Sequence, residues 1–205
     1  MAYSFRPVRA LTVGVLVVLN GAAACKRGGT NEAAVNPASA AAVRAQLTDL
    51  RDSVDVNWRR MTESDDQKIA LTHLLLRELR PLPGYNAAQL AALDQANARL
   101  KARRYSQQSM AASDRIDQYD TAQDSLLRLV LPLAAPNGAA PTANARNFVE
   151  GIQQLDAGVV GFRVQYDRAA QQYNNYVRLH QAELAGLGGK FAQAQPLPLF
   201  TLGAK

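Results

Sequence analysis

Apolar side chains recur at Val43, Leu47, Leu50, Val54, Trp58 and Met61 in steps of three and four, which sets them on one stripe of a helix. Arg44, Arg51, Asp52, Asp55 and Arg59 fall largely off that stripe. Asn36-Pro37 supplies a cap residue followed by proline at the first helical position, and no further glycine or proline occurs before Pro81. The polar run Ser64-Asp65-Asp66-Gln67 interrupts the stripe and predicts a kink. The stripe resumes through Ile69, Leu71, Leu75 and Leu79, and Pro81-Leu82-Pro83-Gly84 ends the segment.

A second helical segment starts at Asn86. Leu90, Leu93, Asn97 and Leu100 set one register; Ile116, Tyr119, Gln123, Leu126 and Val130 set another that is out of phase with it. The polar stretch from Arg103 to Ser113 between them predicts a bend or a local break, and Pro132–Pro141 reads as a loop. The third segment has the most regular pattern. Phe148, Ile152, Leu155, Val159, Phe162, Tyr166, Ala169, Tyr173, Tyr176 and His180 alternate steps of four and three, a heptad seam of the coiled-coil kind. Gly151, Gly158 and Gly161 lie within it and would allow close helix approach; Gly186, Gly188 and Gly189 would end it. Phe191, Leu197, Leu199 and Phe200 of the tail are expected to fold back on the helices.

Three amphipathic segments bury their stripes best against one another. The expected fold is therefore all-α: an antiparallel up-and-down bundle of three long helices, or four if the second is broken, spanning residues 37–205. Each unbroken helix would be a rod of roughly 60 Å.

The N-terminus carries a different pattern. Arg6 and Arg9 precede the apolar run Leu11–Leu19, and Ala22-Ala23-Ala24-Cys25 follows. A basic start, a short apolar stretch and small residues describe a secretory signal over residues 1–24. The run is shorter than the ~20 residues of a spanning helix. Ala22-Ala23-Ala24-Cys25 resembles a lipobox, in which Cys25 would take a diacylglycerol, become the new N-terminus and receive a further acyl chain such as palmitate. Each buried methylene contributes ~0.8 kcal/mol, so two or three chains hold where one does not. Residues 25–36 would then be the lipidated cysteine and a flexible polar linker reaching on the order of 17 Å.

Composition narrows the chemistry. The chain has 205 residues, 48% hydrophobic but only 6% aromatic, which favours helix over sheet. One cysteine and two histidines exclude a disulfide framework and cysteine-rich or multi-histidine metal sites. Loss of Arg6 and Arg9 with the signal takes the formal charge from +6 to +4, so the basic character is weak support for a nucleic-acid partner and none is expected.

The segment Asn147–Tyr176 resembles the LemA family, most closely in Tyr166-Asp167-x-Ala169-Ala170-x-x-Tyr173-Asn174, which is similar to that family's paired tyrosine-asparagine repeat with Asp167 in place of an asparagine. Leu50-Arg51 with Val54-Asp55-Val56-Asn57-Trp58 resembles its first-helix signature. The resemblance implies an envelope-associated helical bundle anchored at its N-terminus.

Two charged clusters are candidate interaction surfaces. Asp114, Asp117, Asp120 and Asp124 form an acidic stripe on one helix, and Arg99, Lys101, Arg103 and Arg104 form a basic cluster beside Tyr105. The acidic stripe lacks the Glu-x-x-His pairs of di-iron bundles. His180 and Glu183 have helical spacing for two ligands, and His73 lies on another helix; these do not complete a metal site. Tyr166, Tyr173 and Tyr176 are expected to pack with their hydroxyls bonded or at the rim. No Gly-x-Ser-x-Gly, Walker or zinc-protease motif is present, so neither catalysis nor a cofactor is expected. The sequence as a whole leads to a bacterial envelope lipoprotein held to the membrane through Cys25, outside the cytoplasm. It would be a non-enzymatic scaffold for an envelope protein partner. A module binding cell-wall polymer or an anionic surface through the basic cluster is the alternative.

Overall fold

A computed structural model describes residues 39–135 and 140–200. Its elements are all helical: α1 (Ala40–Leu79), α2 (Ala87–Arg103), α3 (Ser113–Val130), α4 (Ala143–Leu179), α5 (Gln181–Leu187) and α6 (Gly189–Ala192), with 3-10 turns at Ser109–Ala111 and Leu131–Ala134. No strand occurs among the described residues. The signal stretch, Cys25, the linker and Asn36-Pro37 lie outside them. The cap of α1 is Ser39, whose hydroxyl accepts from the Ala42 amide.

The core is the antiparallel pairing of α1 with α4. Their contacts step in opposite directions: the Tyr176 hydroxyl donates to the Val43 carbonyl, Trp58 meets Tyr166, Lys68 bonds Asp156, and Thr142 bonds Glu78. At 40 and 37 residues these helices span roughly 60 and 55 Å. Every position of the heptad seam on α4 is buried or half-buried.

The helix is not interrupted at Ser64–Gln67, where a kink is expected. α1 runs unbroken through it because the polar residues there belong to the seam: Met61, Asp65, Lys68, Thr72, Leu75 and Leu79 are all buried and keep the steps of four and three. The stripe does not pass through Ile69 and Leu71, which are only half-buried. Partners offset the cost of these polar groups. Lys68, 1% exposed, donates to Asp156 at 2.9 Å, and the Thr72 hydroxyl donates to the Lys68 carbonyl at 2.8 Å. Buried Asn97 of α2 donates to the Ile69 carbonyl at 2.8 Å. Asn97 Oδ1, Ser64 Oγ and Arg163 Nε are buried without a partner among the described residues.

Among the described residues the second segment is broken at residues 103–113 into a helical hairpin, α2 and α3, as in the alternative with a broken second helix, and three long helices are not what the elements show. α2 opens on Asn86, whose side chain accepts from the Ala88 and Gln89 amides. It ends where Arg104 turns extended, at ψ 137°. Reciprocal bonds between Ser106 and Ser109 close the reversal, each hydroxyl accepting from the other's amide, so neither glycine nor proline is needed. The two registers then face the core from separate helices: Leu90, Leu93, Asn97 and Leu100 on α2, and Tyr119, Gln123, Leu126 and Val130 on α3 are buried.

α2 runs antiparallel to the second half of α1, through His73–Asp94, Asn97–Ile69 and Arg104–Thr62. The first half of α1 packs on α4 and on the chain after it. There too an expectation changes: α4 ends at Leu179, earlier than Gly186, and His180 starts the separate turn α5. Residues 132–134 of the expected loop are a 3-10 turn, and residues 136–139 lie outside the described residues.

Of the three glycines in α4, only Gly151 sits at a close approach. A Cβ there would meet Leu71 Cδ1 of α1 at 2.8 Å, Gly158 faces its own helix's Phe162, and Gly161 faces open space. Gly161→Ala should therefore raise stability by about 1 kcal/mol in urea titration, since only helix propensity changes. Gly151→Ala should gain less or lose stability, because Leu71 has to move.

Candidate functional site

The tail after α6 returns along α4 in the opposite direction, as an extended strap over Gln195–Phe200. Asn174 grips it at one point: Leu197 N–H donates to Asn174 Oδ1 at 2.7 Å, and Asn174 Nδ2 donates to the Leu197 carbonyl at 2.8 Å. Two helical turns earlier in α4, Phe200 N–H donates to Asp167 Oδ1 at 2.9 Å, and the Tyr166 hydroxyl donates to the Pro198 carbonyl at 3.2 Å. The gripping pairs, Tyr166-Asp167 and Tyr173-Asn174, stand seven residues apart and so share one side of the helix. Tyr173 is buried beneath the strap, and its burial raises its pKa.

Phe200 anchors the strap in a ring of aromatic groups. Its ring meets Tyr105 edge-on at 5.8 Å and Tyr166 at 5.6 Å, and the Arg163 guanidinium lies 5.0 Å from its centroid. Trp58 of α1 backs both tyrosines, at 6.1 and 5.4 Å, and Tyr119 of α3 backs Tyr105 at 5.7 Å. Arg163 is held by both oxygens of Asp120, at 2.7 and 2.8 Å, and donates to the Tyr105 hydroxyl at 3.2 Å. Burial alone would lower the Arg163 pKa, but the bonds to Asp120 and the neighbouring Tyr105 raise it instead. Burial pushes Tyr105 and Tyr166 up to about 12, so both hydroxyls stay protonated. Behind this ring lies Asp65, hydrogen-bonded to Tyr119; burial raises its pKa although Lys68, Arg104 and Arg163 pull it down.

Part of each charged cluster expected to form a surface is paired within the fold. Lys101 and Arg104 both bond Asp66 of α1, at 3.3 and 2.9 Å, and Arg104 also donates to the Thr62 carbonyl, so they tie α2 to α1. Arg99 and Arg103 are exposed. Asp120 is taken by Arg163, whereas Asp114, Asp117 and Asp124 are exposed. Arg103 and Arg104 meet Arg115, Asp117 and Tyr119 along one open cleft of about 780 Å³ at the α2–α3 reversal. His73 bonds Asp94 at 2.6 Å at the α1–α2 border, and His180 bonds Glu183 and stacks on Tyr176. Among the described residues no three or more His, Cys, Asp or Glu side chains are grouped to hold a metal ion.

Arg163 escaped sequence reasoning; Asp167 and Asn174 entered it only through the tyrosine-asparagine repeat, and their grip on the tail did not. The available signal was an amide and a carboxylate seven residues apart, ahead of a tail with prolines at 196 and 198. Beyond Phe200 an apolar groove of about 740 Å³ continues along α4, with Val160 70% and Val164 38% exposed.

Two substitutions test the electrostatics. Arg163→Ala strands Asp120 and should cost about 2 kcal/mol by chemical denaturation, at the level of hydrogen bonds to a charged group. For Asp65, the folded chain holds the proton more tightly than the unfolded one. Its contribution therefore falls as pH rises from the ordinary aspartate value of about 4 through the raised pKa. Asp65→Asn should remove that fall, measured as the difference in stability from the parent chain across the acid range.

No protein-family model, curated protein or solved structure matches the chain.

Proposed function

We propose that the protein is a bacterial envelope lipoprotein, tethered through lipid on Cys25, whose helical domain is a non-enzymatic scaffold that recruits an envelope protein partner. The observation that carries this is the N-terminal order of Arg6 and Arg9, the apolar run Leu11–Leu19 and Ala22-Ala23-Ala24-Cys25. No helix among the described residues is long and apolar enough to cross a membrane. In this reading the acyl chains on Cys25 are the anchor. The scaffold role is supported by the long α1–α4 pairing, which holds side chains on a stiff frame, and by the apolar groove at Val160 and Val164. The LemA resemblance, an N-terminally anchored helical bundle, belongs to the same proposal.

A second reading, binding of an anionic polymer such as cell wall, is favoured by the cleft in which Arg103, Arg104 and Arg115 converge. Arg104 is occupied by Asp66, so the exposed pair Arg103 and Arg115 would do the binding.

Palmitate labelling of the chain in its host envelope should depend on Cys25: Cys25→Ala should lose the label and release the protein from membranes. Label retained by Cys25→Ala would overturn the anchor. Cross-linking in intact envelopes should then yield a discrete protein neighbour. Sedimentation with purified peptidoglycan, lost on Arg103→Glu with Arg115→Glu, would replace the scaffold reading by the second.

A further inference from the structure

The strap is held in an unusual way for a piece of a helical core. Among the described residues, 195–200 make no backbone-to-backbone hydrogen bond. The bonds that fix the strap come from α4 side chains to its main-chain atoms: Asn174 to both polar atoms of Leu197, Tyr166 to the Pro198 carbonyl and Asp167 to the Phe200 amide. Such bonds grip an extended chain without reading its side chains. Discrimination falls to one aromatic anchor in the Tyr105–Tyr166–Arg163 pocket and to the apolar contacts of Leu197 and Leu199. A main-chain clamp combined with an aromatic anchor is how grooves recognise extended peptides.

The receptor owes little of its shape to the strap. Tyr166, Asp167 and Tyr173 are fixed on the long helix α4, Arg163 is locked by Asp120, and Tyr105 packs against Trp58 and Tyr119. The strap itself is the less buried party: Leu197, Pro198, Leu199 and Phe200 are half-buried. It joins the bundle through α5 and α6; Gly188 between them and Gly189 at the start of α6 adopt φ +70° and +54°. These positive values suit glycine. Beside the start of the strap an open cleft of about 470 Å³ lies against α1, lined by Leu47, Tyr173 and Phe191 among others.

We infer that the groove of α4 between Asn174 and Arg163 is a peptide-recognition site closed by the chain's own strap. Its partner is a protein with an extended segment of the same chemistry: apolar and proline residues followed by an aromatic ring three positions after the clamped residue. The partner segment enters when the strap lifts about Gly188 and Gly189. This names the contact for the recruiting role and rests on that reading only for the existence of a partner. The strap competes from the same chain at an effective concentration of about millimolar, so the closed protein binds a free peptide weakly.

The test uses the full chain and a labelled peptide of residues 193–200 (QAQPLPLF), amidated at its C-terminus, read by fluorescence anisotropy. Loosening the strap with Phe200→Ala or Leu197→Asp should tighten binding of the free peptide at least tenfold over the parent chain. Adding Asn174→Ala to either variant should reverse that gain, and a peptide with alanine at the Phe200 position should not bind. Folded strap variants, judged by circular dichroism, that fail to bind the peptide would overturn the inference. Should both variants unfold, amide exchange on the parent chain decides. The Leu197 and Phe200 amides should exchange through a local opening well before the centre of α4; exchange only with global unfolding would make the strap a core element and end the proposal. Because these measurements need no membrane, their failure leaves the lipid anchor and recruitment by another face standing, and a failed envelope cross-link leaves the peptide result standing.

Discussion

The heptad seam between α1 and α4 is the contact on which everything else depends. Its two strands of side chains meet over most of both helices, from Val43 with Tyr176 to Glu78 with Thr142. An antiparallel seam of that length fixes the axial position of every residue on α4 relative to α1, since a slip by one turn would move all its pairs together. The aromatic ring behind Phe200 follows from it. Trp58 reaches Tyr166 only in this register, and Tyr105 and Tyr119 arrive because the short α2–α3 hairpin leans on the second half of the same pair.

Within the seam, one stretch gives up apolar contact for polar pairing. Asp65, Lys68 and Thr72 occupy core positions on α1, and their partners come from two other helices and from α1's own backbone: Tyr119, Asp156 and the Lys68 carbonyl. A buried ion or amide contributes little net stability, but it is costly in any arrangement that leaves it unpaired. A polar layer in the seam thus penalises wrong alignments of α2 and α3, which apolar stripes alone would tolerate.

Much of this was legible in the chain. The seam of α4, the Asn86 cap, the two registers on either side of residues 103–113 and the return of the tail follow from spacing and turn chemistry. Three things did not. The polar run at Ser64–Gln67 looked like a break because periodicity was counted on apolar residues, whereas Asp65, Lys68 and Thr72 continue it in polar form. At Tyr105 the choice between a bend and a break stayed open because the reversal uses serine hydroxyls rather than glycine or proline. Nor does a sequence show which members of the charged clusters find partners: Asp66 claims Lys101 and Arg104, and Arg163 claims Asp120, whereas Arg99, Arg103, Asp114, Asp117 and Asp124 are exposed. The strap clamps were hidden for a related reason, since Asn174 and Asp167 act on main-chain atoms more than twenty residues away.

The seam itself is open to direct measurement by nuclear Overhauser spectroscopy on the folded domain. The account predicts cross-peaks from a Leu71 methyl to the Gly151 α-protons and from the Trp58 indole to the Tyr166 ring in one sample. Both should be intramolecular, and so absent from the filtered spectrum of a mixture of labelled and unlabelled chains. Cross-peaks between different chains, or a Leu71 methyl that sees α3 in place of Gly151, would contradict the pairing on which the bundle, the aromatic pocket and the strap all rest.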